Sequence, residues 1–421
     1  QLSTPDQFEI TAAGVEEPSD GVTELVDVRI RDRAGVWFEA EGIAVRWSPS
    51  RILVGRLQIQ SLVARGVRVL RAPAPSDVPA PQEDAETAAG VEPADPFRWP
   101  RAPINVVVEE MRLDGVFVAP GVIGDQALRF EATGAARDRG AIQSATLDLR
   151  RTDAVSGTIA LDYLRDFDAG TLRLDLEAEE APGGLVAGLL GLPENAASRV
   201  VVDAQGPLDD WRVAFAAEAE RVMSAEGEGL IDLGPPFRLE AEAVARPGPA
   251  LPADVAAALA PEARLTVRAS EGADGVIDIE TARLAAPALD LTADGTYGRA
   301  DGALDATVAL EARAALAALA PGVDFERIAF DGRARGALDD LTASGDLELD
   351  GLETDPVDLG TGRFAAEIGY APERVSARLD GRAEGLRLDR LAPGTVGPAT
   401  LSLDAALAGE TLRLDDLRLE A

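Results

Sequence analysis

The most regular feature of the chain is an alternation of apolar and polar residues with a period of two. In Thr171-Leu172-Arg173-Leu174-Asp175-Leu176-Glu177 the leucines fall on one side and the charged residues on the other. Successive side chains of a strand point to opposite faces, so this pattern predicts a strand with one face buried and one in water. The same pattern returns in Val276-Ile277-Asp278-Ile279, Leu347-Glu348-Leu349, Leu386-Arg387-Leu388, Leu401-Ser402-Leu403 and Leu412-Arg413-Leu414. Asp-Gly pairs, beginning at Asp114, Asp274, Asp294, Asp301, Asp331, Asp350 and Asp380, predict hairpin turns because glycine accepts positive φ. At about 11–14 residues per strand and turn, the chain is expected to hold roughly 30 strands.

Three apolar stretches, 183–192, 252–260 and 311–320, predict short helices, each stopped by a proline at Pro193, Pro261 or Pro321. No strand–helix–strand rhythm links them, which argues against a doubly wound parallel sheet. Residues 72–103 are rich in proline and acid, and within them 74–96 is expected to be a mobile loop between segments 1–73 and 97–421. A faint internal repeat spans about 189–211 and 316–341. It matches Gly206-Pro207-Leu208-Asp209-Asp210-Trp211 with Gly336-Ala337-Leu338-Asp339-Asp340-Leu341. Units of this kind favour an elongated, one-faced all-β stack over separate globules.

Composition narrows the chemistry. The 421 residues include 40 basic and 74 acidic ones, a formal charge of −34, which repels phosphate backbones and excludes nucleic acid as the main partner. With no histidine and no cysteine, His-based triads, thiol nucleophiles, zinc fingers, iron–sulfur clusters and disulfides are excluded. Hydrophobic residues make up 46% but aromatics only 4%, so the interior is built from Ala, Leu and Val. No run of 18 apolar residues and no signal-peptide pattern opens the chain. It starts at Gln1 without an initiator Met, and the expectation is a mature or excised piece of a longer protein.

Paired carboxylates are too common here to mark acid–base chemistry, and Asp209-Asp210 and Asp339-Asp340 read as turn formers. Neither an EF-hand loop nor a Gly-rich calcium repeat is present, and Gly183-Gly184 lacks the spacing and lysine of a phosphate loop. The expectation is therefore no catalytic residue, no metal and no cofactor: a protein that is not an enzyme.

The most specific stretch reads Asp32-Arg33-Ala34-Gly35-Val36-Trp37, then Trp47-Ser48-Pro49, Leu53-Val54-Gly55, Leu57, Ile59, Leu62, Val67 and Arg71-Ala72-Pro73. It continues in Trp99-Pro100, Ile104, Leu113 and Val116. Over 27–118 this resembles the N-terminal periplasmic portion of the TamB family, the translocation and assembly module subunits within the AsmA-like superfamily of bridge-like lipid transfer proteins. The resemblance implies a curled sheet of the β-taco or groove-like solenoid kind, with an apolar concave face and a few short helices. It implies a periplasmic location in a Gram-negative bacterium, with the parent protein anchored in the inner membrane by a segment outside this chain. It further implies phospholipids as cargo carried between inner and outer membranes, a role in outer-membrane biogenesis, and a TamA-like outer-membrane barrel as partner.

The groove candidates are the inward members of the clearest strands: Leu57, Ile59, Ile104, Val106, Val108, Leu172, Leu174, Leu176, Leu347, Leu349, Leu412 and Leu414. Alternation alone serves an open groove and a closed sandwich interior equally. Trp37 and Trp47, with Arg46, Arg51 and Arg56, are candidates for a membrane-proximal surface, since tryptophan favours headgroup depth and basic groups favour anionic lipid. Core packing and a solvated face account for them as well. Two further function classes stand beside lipid transport. One is a scaffold or chaperone presenting sheet edges to outer-membrane proteins or autotransporters, with an Omp85-type partner. The other is a β-solenoid hydrolase, disfavoured by the scarcity of aromatic platforms.

Overall fold

The computed structural model describes residues 2–4, 8–19, 21–48, 51, 56–74, 105–124, 126–185, 188, 195–234, 236–272, 275–299, 302–319, 322–354, 357–372, 374–388, 392–396, 398–408 and 411–420. The chain divides into two compact units, Gln1–Glu220 and Arg221–Ala421. The expected 74–96 loop, apart from its first residue, lies outside the described residues, as do Ile104 and Trp99.

The first unit opens with β1 (Leu2–Thr4), β2 (Phe8–Thr11), β3 (Gly14–Ser19), β4 (Val22–Asp32), β5 (Gly35–Trp47), β6 (Arg56–Arg65) and β7 (Arg68–Val69). It continues with β8 (Asn105–Val118), β9 (Leu128–Asp138), β10 (Ile142–Arg151), β11 (Gly157–Asp166), β12 (Thr171–Glu180), β13 (Ser198–Pro207) and β14 (Trp211–Ala219). From β8 to β14 each strand is antiparallel to the next. β4, β5 and β6 form consecutive antiparallel pairs, whereas β6 and β7 run parallel to β8. A parallel neighbour requires a crossover of a dozen or more residues, and the chain between Val69 and Asn105 has that length.

The second unit begins with β15 (Met223–Asp232), β16 (Arg238–Pro247), helix α1 (Ala253–Leu259), β17 (Ala263–Glu271), β18 (Val276–Ala286), β19 (Leu289–Gly298) and β20 (Ala303–Arg313). A 3₁₀ turn (Ala314–Leu319) leads to β21 (Val323–Asp324), β22 (Arg327–Ala337), β23 (Asp340–Thr354), β24 (Val357–Ala371) and β25 (Arg374–Glu384). β26 (Leu386–Leu388), β27 (Ala392–Val396), β28 (Ala399–Ala408) and β29 (Thr411–Glu420) complete it. The sequential antiparallel ladder continues from β15 through β20, then β22 to β25, β28 and β29.

The fold is thus all-β with minimal helix, a curled one-faced sheet of the β-taco or groove-like solenoid class. Of the expected helices, 252–260 forms α1, with Pro252 before it and Pro261 after it. The stretch 311–320 departs from expectation: Glu311 to Arg313 finish β20, and only the 3₁₀ turn follows. The stretch 183–192 lies mostly outside the described residues.

The Asp-Gly pairs also depart from expectation. Gly302 lies in a turn, but Asp294-Gly295, Asp331-Gly332 and Asp380-Gly381 sit inside β19, β22 and β25. There the aspartate takes the outward phase and the glycine the inward one. A Cβ on Gly332 would come 2.6 Å from Cζ of Phe330, and one on Gly381 would come 2.7 Å from Cα of Phe364. The glycines leave room for neighbouring rings and backbone, a requirement for a missing side chain rather than for a turn. Both copies of Gly-x-Leu-Asp-Asp lie at hairpin turns, joining β13 to β14 and β22 to β23. Gly206 and Gly336 open them at φ +134° and +124°.

Candidate functional site

The strand registers of the first unit place its inward residues in rows that cross neighbouring strands. One row runs Trp47, Ile59, Val108, Ala136, Ala145, Tyr163, Leu174, Ala204 and Val213 from β5 to β14. The next runs Val45, Leu62, Met111, Gly134, Leu147, Leu161, Leu176, Val202 and Phe215. Nine strands at about 4.8 Å spacing give each row a contour on the order of 40 Å. The second row is wholly apolar, and the first is apolar apart from the Tyr163 hydroxyl and the Trp47 indole N–H.

The second row is not a closed core, whereas Tyr163 and Ala204 of the first are buried. Leu57, Ile59, Val106, Val108, Leu174 and Leu176 are each half-buried, as are Leu147, Leu161, Val202 and Phe215. Leu172, by contrast, is 1% exposed, and its carbonyl accepts a 3.1 Å hydrogen bond from Nε1 of Trp211. The outward side is charged: Arg173 meets Asp175 at 2.6 Å, and Arg150 meets Glu131 at 2.8 Å. The Asp175 hydrogen bond raises the Arg173 pKa above its ordinary value, with Asp175, Asp162 and Asp203 adding Coulomb attraction.

Polar residues bound the apolar rows on both sides. Along one margin, Gln143 is fully buried and donates to Asp138 at 3.2 Å. Beside it, buried Arg165 donates to the Thr171 carbonyl at 2.8 Å, and its guanidinium lies 5.0 Å from the ring centre of Phe167. Along the other margin, Arg151, Glu180 and Ser198 are all buried on the inward face. Arg151 donates to Glu180 at 2.8 Å and to Asp153 at 2.9 and 3.1 Å. Burial opposes the Arg151 charge, but its hydrogen bonds to Asp153 and Glu180 prevail and raise its pKa. Burial likewise pushes Asp153 upward, and its bond to Arg151, aided by the Arg129 and Val155 amides, more than offsets this and lowers it.

These margin residues escaped the sequence reading. Their signal is a charge on the inward phase at a strand end: Arg151 after Arg150, and Glu180 after Glu179, break the alternation.

The second unit treats its inward face differently. Leu347 and Leu349 pack in a buried cluster with Phe330, Leu359, Phe364, Ala366, Ala383 and Leu386. Phe330, Leu347 and Phe364 are direct neighbours in one row. Leu412 and Leu414 lie in β29 opposite Leu407 and Ala405. Leu57, Ile59, Val106, Val108, Leu174 and Leu176 are thus half-buried in the first unit, whereas Leu347 and Leu349 join a packed cluster in the second.

Of the surface candidates, Trp47 pairs with Ile59 on the inward face, while Arg46, Arg51 and Arg56 are exposed. Trp37 is half-buried and meets Phe38 edge-on at 5.8 Å. Among the described residues no helix is long and apolar enough to cross a membrane, and no group of three or more acidic side chains is arranged to hold a metal ion.

A family model described as YdbH-like, intermembrane phospholipid transport protein YdbH, matches residues 1–420. No curated protein matches the chain at a significant level.

Proposed function

The chain belongs to the YdbH-like family of intermembrane phospholipid transport proteins, and from that premise we propose that its inward apolar rows shield acyl chains in transit through the periplasm between inner and outer membranes. The observation that carries this reading is the row from Val45 to Phe215, apolar across nine strands yet only half-buried where it faces inward. An interior built for stability alone would be closed. Each methylene withdrawn from water contributes about 0.8 kcal/mol, so a chain of a dozen or more carbons is held strongly with no residue-specific contact. Smooth rows also let it slide from strand to strand. This mode of action is non-enzymatic, and the charged outward face keeps a long sheet with an apolar opening soluble.

The TamB resemblance refines the proposal. On that reading the parent is anchored in the inner membrane and hands lipid toward a TamA-like barrel, serving outer-membrane biogenesis.

The test is native mass spectrometry with lipid extraction on protein purified without detergent. Co-purifying phospholipid is the expected result. A well-folded, lipid-free chain would overturn the reading in favour of a scaffold that binds polypeptide clients.

A further inference from the structure

The outward face near the start of the first unit differs in charge from the rest of the surface. Val28, Phe38, Val69, Val118 and Leu128 pack in one apolar cluster on the inward side. Their chain neighbours Arg29, Glu39, Arg68, Phe117 and Arg129 take the opposite face. The strand registers align these five in a single row across β4, β5, β7, β8 and β9. At about 4.8 Å between strands the row spans on the order of 20 Å.

The row holds surplus positive charge. Arg29 and Arg68 share one carboxylate, Glu39, at 3.7 and 3.9 Å. Arginines on other outward strands meet theirs more closely, as in Arg173–Asp175 at 2.6 Å, Arg283–Asp290 at 2.7 Å and Arg378–Asp404 at 2.9 Å. The Arg129 guanidinium has no ion pair among the described residues. Glu131, two positions along, is held by Arg150, and Asp153, which accepts the Arg129 amide, is held by Arg151. A second feature lies in the same row: the Arg68 and Arg129 guanidiniums are 5.8 and 5.3 Å from the ring centre of Phe117, which holds both in place. Residues 29–73 contain nine arginines and three acids, a net +6, whereas the rest of the chain carries −40. An anionic surface attracts this face of an otherwise acidic molecule.

We infer that this row is a docking face for an anionic phospholipid bilayer, with Arg29, Arg68 and Arg129 on lipid phosphates. The planar guanidinium fork matches phosphate oxygens, and basic groups near anionic lipid are attracted within a Debye length. Repulsion of the remaining acidic surface makes this the face of approach, so docking also orients the first unit on the membrane. The row is separate from Arg46, Trp47 and Arg56, which lie at the end of β5 and the start of β6. It lies on the face opposite the apolar rows, and the inference goes beyond acyl shielding without depending on it.

The experiment floats the full chain with phosphatidylcholine vesicles that contain phosphatidylglycerol, and with phosphatidylcholine vesicles alone, at low and high salt. The expected result is binding about tenfold or more tighter to the phosphatidylglycerol vesicles, lost at high salt. Arg68→Glu with Arg129→Glu is expected to weaken that binding by about tenfold or more. Both side chains are exposed, and an unchanged urea midpoint checks the fold. Arg29→Glu, which gives up only a 3.7 Å contact, lowers the binding by about fivefold and serves as the milder variant. Arg246→Glu, the same charge change in the second unit, leaves it unaltered. Equal binding to both vesicles, or wild-type binding by the row variants, would overturn the inference. So would the absence of vesicle binding; salt-sensitive self-association in its place would assign the row to the acidic surface of a second copy. Co-purifying phospholipid is expected to be unaffected by the row variants. A chain that carries no lipid yet floats with phosphatidylglycerol vesicles would uphold docking while overturning acyl shielding.

Discussion

Arg151 and Glu180 meet at 2.8 Å over Gly157, the residue of β11 that separates their two strands. A Cβ on Gly157 would come 2.9 Å from Cγ of Glu180 and 3.1 Å from Cδ of Arg151. The glycine is what allows an ion pair to cross a strand on the inward face. Gly157→Val is therefore expected to displace the pair and destabilise the first unit by about 1–3 kcal/mol, read as a lower urea midpoint.

The pair itself is buried, with side-chain exposures of 5% and 2%. Removing one partner strands the other charge, so Arg151→Met alone is expected to cost about 3–5 kcal/mol. Arg151→Met combined with Glu180→Leu should recover more than half of that loss. Urea unfolding of the single and double variants checks it, and equal losses in both would contradict a buried-charge origin.

Trp211→Phe removes the indole donor to the Leu172 carbonyl and keeps an aromatic ring. The expected loss is about 1 kcal/mol by chemical denaturation, with lipid content unaltered, because Leu172 and Trp211 close the margin and do not line the half-buried rows.

At the other end of the first unit, Asp32 accepts bonds from Arg71 and from the amides of Ala74 and Ala34. The Arg71 hydrogen bond first, then the Ala74 amide, hold its carboxyl well below the usual carboxylate range against the opposing effect of burial. A depressed folded pKa adds stability above the unfolded value of about 4 and loses it as pH falls below that value. The stability gap between wild type and Asp32→Asn is expected to be constant from pH 7 to 5 and to shrink as pH falls toward 2. Unfolding midpoints across that range measure it, and a gap independent of pH would contradict the assignment.

Period-two alternation in TLRLDLEA was enough to read β12, its inward leucines and the all-β fold, because a strand's side-chain period is fixed by its backbone. The half-buried state of Leu174 and the closer packing of Leu347 were not legible. Both residues sit in the same alternation, and the difference comes from Phe330 and Phe364 on neighbouring strands. Asp-Gly misled for a related reason: Gly332 and Gly381 answer to a ring and a backbone on paired strands, which local sequence does not display. The polar margins were visible in principle, as the inward-phase charges Arg151 and Glu180, but their pairing across β11 needed the register.

Leu174→Asp or Leu161→Asp places a charge in the apolar rows, and co-purifying phospholipid is expected to fall by about fivefold or more. Arg173→Ala, on the outward face of the same strand as Leu174, should leave lipid content unchanged.

Acyl shielding is tested most directly by a photocrosslinking residue placed at Leu174 and, as its outward control, at Arg173 in cells. The account predicts phospholipid adducts at position 174 and none at 173. Adducts at neither position in a folded protein, or equal adducts at both, would contradict an inward face that carries acyl chains.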